Sequence, residues 1–303
     1  MPHVTTTDGV ELYYEETGSG TPIIFVHEFG GDYRHWEPQM RFFSRSHRCI
    51  AFNARGYPPS SVPEDPEMYS QANARDDVLA LLDGLGIEKA HINGLSMGGF
   101  ASLHFGFEYP ERALSLVVAG CGYGAKSDVR EQFVRETTEV ADRMESETMA
   151  VFGKVYALGP TRVQYQNKDP RGWKEFEEQI CEHSSVGSAN TMRGVQRRRP
   201  SLYDLEDKMR SLRVPTLVIN GDEDDPCLDA GLFMKRTIIS SALVLLPRTG
   251  HLCNLEEPDL YNQICGDFMH RVEAGRWELR DPRSMTTAII STPGSNLRTC
   301  GMK

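Results

Sequence analysis

Residues 90–101 read AHINGLSMGGFA, and the rest of the chain is best understood outward from them. The first half, AHINGL, is a short apolar run of the kind expected for a strand buried on both faces of a sheet. The second half runs on into GGFASLHFGFEY (98–109), which is apolar at helical spacing. Between them, Gly94 and Gly98 bracket Ser96 in the order G-x-S-x-G. A strand that passes directly into a helix turns so sharply that flanking side chains would clash, and glycine is needed there. The turn exposes the serine hydroxyl beside the unpaired amides and positive end of the helix. Ser96 is therefore a candidate nucleophile.

The same apolar signature recurs at PIIFVHEF (22–29), RCIAFNA (48–54), LSLVVAG (114–120), TLVING (216–221) and ALVLLP (242–247). Helical patterns such as WEPQMRFF (36–43) and QANARDDVLALLDGL (71–85) lie between them. This alternation predicts an α/β fold, a mostly parallel central sheet with helices on both faces. GVELYYEET (9–17) alternates apolar and polar residues, which predicts an exposed antiparallel strand. The rhythm breaks between about 124 and 202, where DVREQFVRETTEVADRMESETMAVF and RGWKEFEEQI are charged and helix-like. Because this segment follows one strand and precedes the next, it should project from the carboxyl ends of the strands, where open α/β sheets bind ligands. The expected organisation is a core from 1–123 and 203–275, an inserted helical cap at 124–202, and a tail at 276–303 that is poorly ordered or docked late.

Composition excludes several classes of function. With 303 residues and 39% hydrophobic content, the chain can bury one large core plus an insertion. The formal charge is −10 and no basic block is long enough to track a phosphate backbone, so nucleic acid and anionic membrane are not expected partners. MPHVTTTDGVELYY carries no positive segment followed by an apolar one, and no run approaches the roughly 18 apolar residues of a membrane helix. Cys49, Cys121, Cys181, Cys227, Cys253, Cys265 and Cys300 form no C-x-x-C pair, and no N-x-S/T site occurs. A soluble protein of a reducing, cytoplasmic compartment is expected.

A serine hydroxyl is a weak nucleophile at neutral pH and needs an adjacent base, oriented in turn by an acid. INGDEDDP (219–226) ends one buried run and places Asp222, Glu223, Asp224 and Asp225 in a loop. TGHLCNLEEP (249–258) follows the last run and places His251 in another. Both loops should lie at the carboxyl rim with Ser96. Attack on a carbonyl also creates an oxyanion that needs two preorganised N–H donors, each worth about 3 to 4 kcal/mol. Met97 should supply one from the turn, and Phe29 the other from the loop HEFGGDYRHW (27–36).

With these residues in place, the chain from about 9 to 275 resembles the α/β-hydrolase fold serine hydrolases. The matching pieces are HEFGGD, FNARGYPPS (52–60), NGLSMGG (93–99), INGDEDDP and TGHLCNLEEP. GLSMGG is similar to the spelling in enol-lactonases and in C–C hydrolases acting on ring-cleavage products, and it also occurs among esterases and cofactor-free haloperoxidases. The resemblance implies Asp224, three residues after Gly221, as the acid, with Asp222 and Asp225 as alternatives. It implies hydrolysis of a carboxylic ester or lactone of a small molecule through an acyl-enzyme on Ser96. The alternatives are a C–C hydrolase of a vinylogous diketone, or a ligand receptor that no longer turns over.

Two positions depart from the family pattern. Glu28 stands where glycine is common, and a carboxylate beside the oxyanion loop should be turned outward or neutralised by a cation such as Arg55, unless it contacts substrate. Asn53 replaces a common aspartate and is expected to be structural. His27-Glu28 begins like the zinc motif H-E-x-x-H, but Gly31 ends the match, so neither a metal nor another cofactor is expected. Ser96 excludes the aspartate-nucleophile branches of the fold. Cys227 and Cys253 flank the acid and base and are read as buried packing thiols. Tyr123 is a further candidate substrate contact. In the cap, Ser188, Asn190 and Arg193 could face a substrate, although most polar groups there should solvate the cap. The sequence leaves a homo-oligomer open.

Overall fold

The computed structural model describes residues 2–285 and residue 289. Eight strands form one sheet in the order β1 (His3–Thr5), β2 (Glu11–Thr17), β4 (His47–Phe52), β3 (Thr21–Val26), β5 (Ala90–Leu95), β6 (Ala113–Ala119), β7 (Thr216–Gly221) and β8 (Ser241–Leu246). Strand β2 is antiparallel to both β1 and β4, and the others are parallel. The expected α/β architecture is therefore present. Strand β1 was not anticipated, because its HVT is too short to show a period.

Every residue of β5 and β7 is buried, as their continuous apolar runs require. Alternate residues of β3 feed opposite faces: Ile23 and Phe25 join one core cluster, Ile24 and Val26 the other. Helix α1 (Glu37–Phe43) contributes Met40 and Phe43 to the first cluster. Helices α2 (Gln71–Gly84) and α3 (Met97–Glu108) contribute Val78, Leu81, Phe100 and Phe105 to the second. The loops after β3 and β5 thus diverge to opposite faces although their strands are neighbours. This divergence opens a crevice at the carboxyl rim of the sheet.

Between β6 and β7 lie α4 (Ser127–Glu147), α5 (Met149–Ala157), α6 (Val163–Lys168), α7 (Pro170–Cys181), α8 (Ser185–Thr191), a π-helical stretch (Met192–Arg197) and α9 (Glu206–Ser211). Ala141, Met144, Met149, Phe152, Phe176 and Ile180 are buried and continuous with the first core cluster. These helices are anchored to the core by apolar side chains, while the charged residues of the segment, Arg162 and Arg199 excepted, lie at or near the surface. After β7 come α10 (Asp225–Thr237), then α11 (Cys253–Glu256) and α12 (Pro258–Glu273) beyond β8. Past α12, Trp277 Nε1 donates to the Ser240 carbonyl at 2.8 Å and the Arg280 amide to the Ile239 carbonyl at 3.0 Å. The rest of the expected tail, from 286 on apart from residue 289, lies outside the described residues. Among the described residues, no helix is long and apolar enough to cross a membrane.

Candidate active site

Ser96 joins β5 to α3 with φ +53° and ψ −113°, a backbone conformation that L-residues rarely adopt and that costs about 1 to 3 kcal/mol. The surrounding packing holds it there. A Cβ on Gly94 would sit 2.1 Å from the Gly98 carbonyl oxygen, and one on Gly98 would sit 2.0 Å from that of Val26. The Ser96 amide is tied to the Ala119 carbonyl on β6 at 2.7 Å. Sheet and helix approach so closely that only hydrogen fits at both flanks, which accounts for G-x-S-x-G.

The loops after β7 and β8 meet beside this turn. His251 Nδ1 lies 2.8 Å from Asp224 Oδ2, and both residues are buried. Burial opposes ionisation of Asp224, but the His251 ring and the Cys227 thiol outweigh it and hold the carboxyl below its usual range. With Nδ1 donating to the carboxylate, a neutral ring carries its lone pair on Nε2. The neighbouring acids have other partners. Asp222 Oδ1 accepts from the Thr249 amide at 3.1 Å, Glu223 pairs its amide with the Thr249 carbonyl at 3.0 Å, and Asp225 opens α10. Glu256 braces the same loop by accepting from the amides of Gly250 (2.6 Å) and Leu252 (3.0 Å). It stood in the quoted TGHLCNLEEP without being singled out, because one of two adjacent glutamates gives no sign of facing inward.

Ser96, His251, Phe29, Tyr123, Tyr156 and Arg199 are among the residues that line one cavity of about 110 Å³. The Tyr123 ring stands edge-on to His251, centroids 5.4 Å apart. No hydrogen bond joins Ser96 Oγ to His251 among the described residues. Contacts of this kind commonly close only around a substrate.

On the β3 side, the Phe29 carbonyl accepts from Tyr57 Oη at 2.8 Å, and among the described residues its amide has no acceptor. The Met97 amide is the first of α3 and lacks an acceptor one turn earlier. His27 fixes the start of this loop: Nδ1 meets the Glu28 carbonyl at 2.7 Å, and Nε2 accepts from the Ala54 amide at 3.0 Å. Burial pushes its pKa down to about 4, which keeps the ring neutral. Asn53, also buried, bridges the Tyr33 amide (2.8 Å) and the Pro58 carbonyl (2.8 Å), a structural place.

Glu28 is neutralised by a cation, though not by the one named. It does not turn outward, and its cation is not Arg55, which is committed to Asp77 (2.6 Å) and Asp8 (2.7 Å). Instead both Glu28 carboxylate oxygens lie 2.9 Å from Nη2 of Arg162, in the inserted helices, and Oε2 also accepts from the Gly30 amide at 2.9 Å. Both members of the pair are fully buried. Burial would raise the Glu28 pKa, but Arg162 overrides it and holds the carboxyl below its ordinary range.

The inserted helices bring two further corrections. Arg193 does not line the cavity: Nη2 donates to Asp142 (2.7 Å) and Glu145 (2.8 Å) of α4. Met192 and Gln196, one turn apart, face the cavity, and Arg193 is roughly a quarter turn round from them. Ser188 and Asn190 neither line the cavity nor meet water; they are buried where α8 approaches the loop after β4. Tyr123 and the five residues proposed for chemistry are thus brought together, whereas Glu28 is buried against Arg162 without lining the cavity and Arg193 lies away from it.

Two groups of donor atoms among the described residues come within 4.8 Å of one another: Asp224, Cys227 and His251, and His47, His270 and Glu273 at the amino end of the sheet. In the first, burial and the neighbouring Asp224 carboxylate push the Cys227 thiol well above its ordinary range.

The chain has recognisable relatives. A 3-oxoadipate enol-lactonase of Acinetobacter baylyi is 27% identical over 89% of this chain and 97% of its own. A 2-hydroxy-6-oxo-6-phenylhexa-2,4-dienoate hydrolase of Comamonas testosteroni is 28% identical over 86% of this chain and 91% of its own. Among solved structures, a thermophilic esterase from Thermogutta terrifontis superposes with a TM-score of 0.77 at 27% identity, covering 89% of this chain and 98% of that one. A family model described as the alpha/beta hydrolase fold matches residues 21–258. Since that match spans most of the sheet, the rim and the helices between them, the chain belongs to the α/β hydrolase fold family.

Proposed function

We propose that this α/β hydrolase cleaves a carboxylic ester or lactone of a small molecule with Ser96 as nucleophile, His251 as base and Asp224 as its orienting acid. The observation that carries the reading is the buried His251–Asp224 pair on the same cavity as a serine held at positive φ. Ser96 Oγ attacks the carbonyl carbon and gives its proton to His251 Nε2. The oxyanion is held by the Phe29 and Met97 amides. Collapse breaks the C–O bond, and His251 returns the proton to the departing alkoxide, which stays tethered when the substrate is a lactone. Water then attacks the acyl-enzyme, its proton passes to His251, and Ser96 Oγ leaves with that proton as the free acid forms. Asp224 stabilises the transient imidazolium. The segment 124–202 acts as a cap, placing Tyr156, Met192 and Gln196 over the acyl or alcohol group.

Labelling with a fluorophosphonate probe tests the nucleophile: wild type is labelled and Ser96→Ala is not. Labelling that persists in the variant removes Ser96 from the role. A panel of p-nitrophenyl esters and simple lactones then separates ester from lactone preference. The Comamonas relative, named as a dienoate hydrolase, supports a second reading in which the same residues cleave a C–C bond of a diketone. Turnover of a vinylogous diketone faster than of every ester in the panel would select it.

A further inference from the structure

Arg199 is 2% exposed and lines the cavity with Ser96 and His251. Its guanidinium donates through Nη2 to the Tyr123 carbonyl at 2.8 Å and through Nη1 to Gln196 Oε1, and it lies 3.8 Å from the centroid of the Phe100 ring. All three partners are neutral. Among the described residues, no carboxylate forms an ion pair with it. Arg130 approaches from α4, its Nη1 donating to the Gly124 carbonyl at 3.0 Å and its Nη2 to the Arg197 carbonyl at 3.0 Å, again without an acid. The two guanidinium groups flank one ring, each 5.5 Å from the centroid of Phe133, which also lines the cavity.

This arrangement is unlike the treatment of the other buried arginines. Arg162 has Glu28, and Arg55 has Asp77 and Asp8. A buried charge without a counter-charge is costly, and a chain with net charge −10 has acids to spare. Burial pushes the Arg199 pKa down to about 10, and Arg130 adds to the effect. The cation is nevertheless still charged at neutral pH. Among the residues lining the cavity, Arg199 is the one with a permanent formal charge, and none of them is acidic. Arg199 also borders a second pocket that contains Asp128 and Glu131, and it forms an ion pair with neither, which leaves its counter-charge to an occupant of the cavity beside Ser96.

We propose that Arg199 binds a carboxylate of the substrate, so that the preferred ester or lactone carries a second, free carboxylate in addition to the bond that is cleaved. A planar carboxylate presents two acceptor oxygens of the kind a guanidinium pairs with, and it is small enough for a cavity of about 110 Å³. The proposal rests on the hydrolase reading and deepens it.

The test compares p-nitrophenyl hemiglutarate with p-nitrophenyl pentanoate, which lacks the terminal carboxylate. Wild type should favour the hemiglutarate at least about tenfold in kcat/KM, as a charge-assisted contact supplies. Arg199→Met should reduce that ratio at least about tenfold, with Arg199→Lys in between. An absent preference in wild type, or a ratio unchanged in Arg199→Met, overturns the proposal. A second arm needs no chemistry and no folded Arg199 variant: glutarate, but not glutaramide, should raise the melting temperature of Ser96→Ala. Equal stabilisation by glutaramide, or by sulfate at the same concentration, overturns the carboxylate assignment. If fluorophosphonate fails to label Ser96 while glutarate still stabilises the protein, the hydrolase reading falls and the anion site stands.

Discussion

The two walls of the cavity are built by different means. On the rim of the sheet, backbone positions the groups: Ser96 is held by two glycines and a tie to β6, Phe29 and Met97 present amides, and His251 is braced by Glu256 through main-chain donors. On the side of the inserted helices, long side chains do the positioning, with Arg162 reaching Glu28 and Arg199 reaching Tyr123 and Gln196. A wall made of backbone tolerates almost no substitution, because a single methyl group displaces the chain. A wall made of side chains can be changed residue by residue.

Substitution on the rim should give the largest effects. Ser96→Ala is expected to lower kcat by about 10⁴-fold or more, and Asp224→Asn by about 10³- to 10⁴-fold, both read with a p-nitrophenyl ester. A residual rate in either within tenfold of wild type would mean that the rim does not carry the chemistry. Gly98→Ala forces a methyl group against the Val26 carbonyl and should cost about 4 kcal/mol or more in denaturant unfolding.

The second wall should respond more mildly and reversibly. Glu28→Gln leaves Arg162 buried without its counter-charge and should cost about 3 kcal/mol, part of which returns in the double variant Glu28→Gln/Arg162→Met. Denaturant unfolding checks both variants, and a double variant no more stable than Glu28→Gln would show that the loss does not come from the orphaned Arg162 charge.

The smallest expected effect lies far from both walls. At the amino end of the sheet, Glu273 meets His47 at 3.2 Å and His91 at 3.3 Å, and hydrogen bonding to His91 lowers its pKa from 4.5 to about 2. A depressed carboxyl stabilises the fold above its unfolded pKa, so this contribution is complete above pH 4.5 and fades as pH falls towards 2. Acid titration of stability should therefore be shallower in Glu273→Gln over that window. An unchanged slope would show that the cluster contributes nothing.

The rim was readable from sequence because each of its features leaves a local trace. Buried strands show as apolar runs, the tight turn as Gly94 and Gly98, and the paired Asp224 and His251 as loop residues directly after strands. The other wall was not readable, because its geometry depends on how separate helices dock. In QRRRP (196–200), Arg198 pairs with Glu67 at the surface while its neighbour Arg199 turns into the cavity, and nothing in a run of like charges distinguishes them. Arg55 was named as an example of a cation for Glu28, yet its side chain runs to Asp77 on α2. The partner that Glu28 found, Arg162, lies 134 positions away in the chain.

The π-helical stretch at Met192–Arg197 holds one residue more than an α-helix of the same rise would need. That surplus residue sets the angular phase of everything after it, including Gln196 and Arg199. Deleting a single amino acid from this turn would restore ordinary winding and rotate both side chains away from the chamber, so the lining of this chamber depends on the length of the chain as much as on its chemistry.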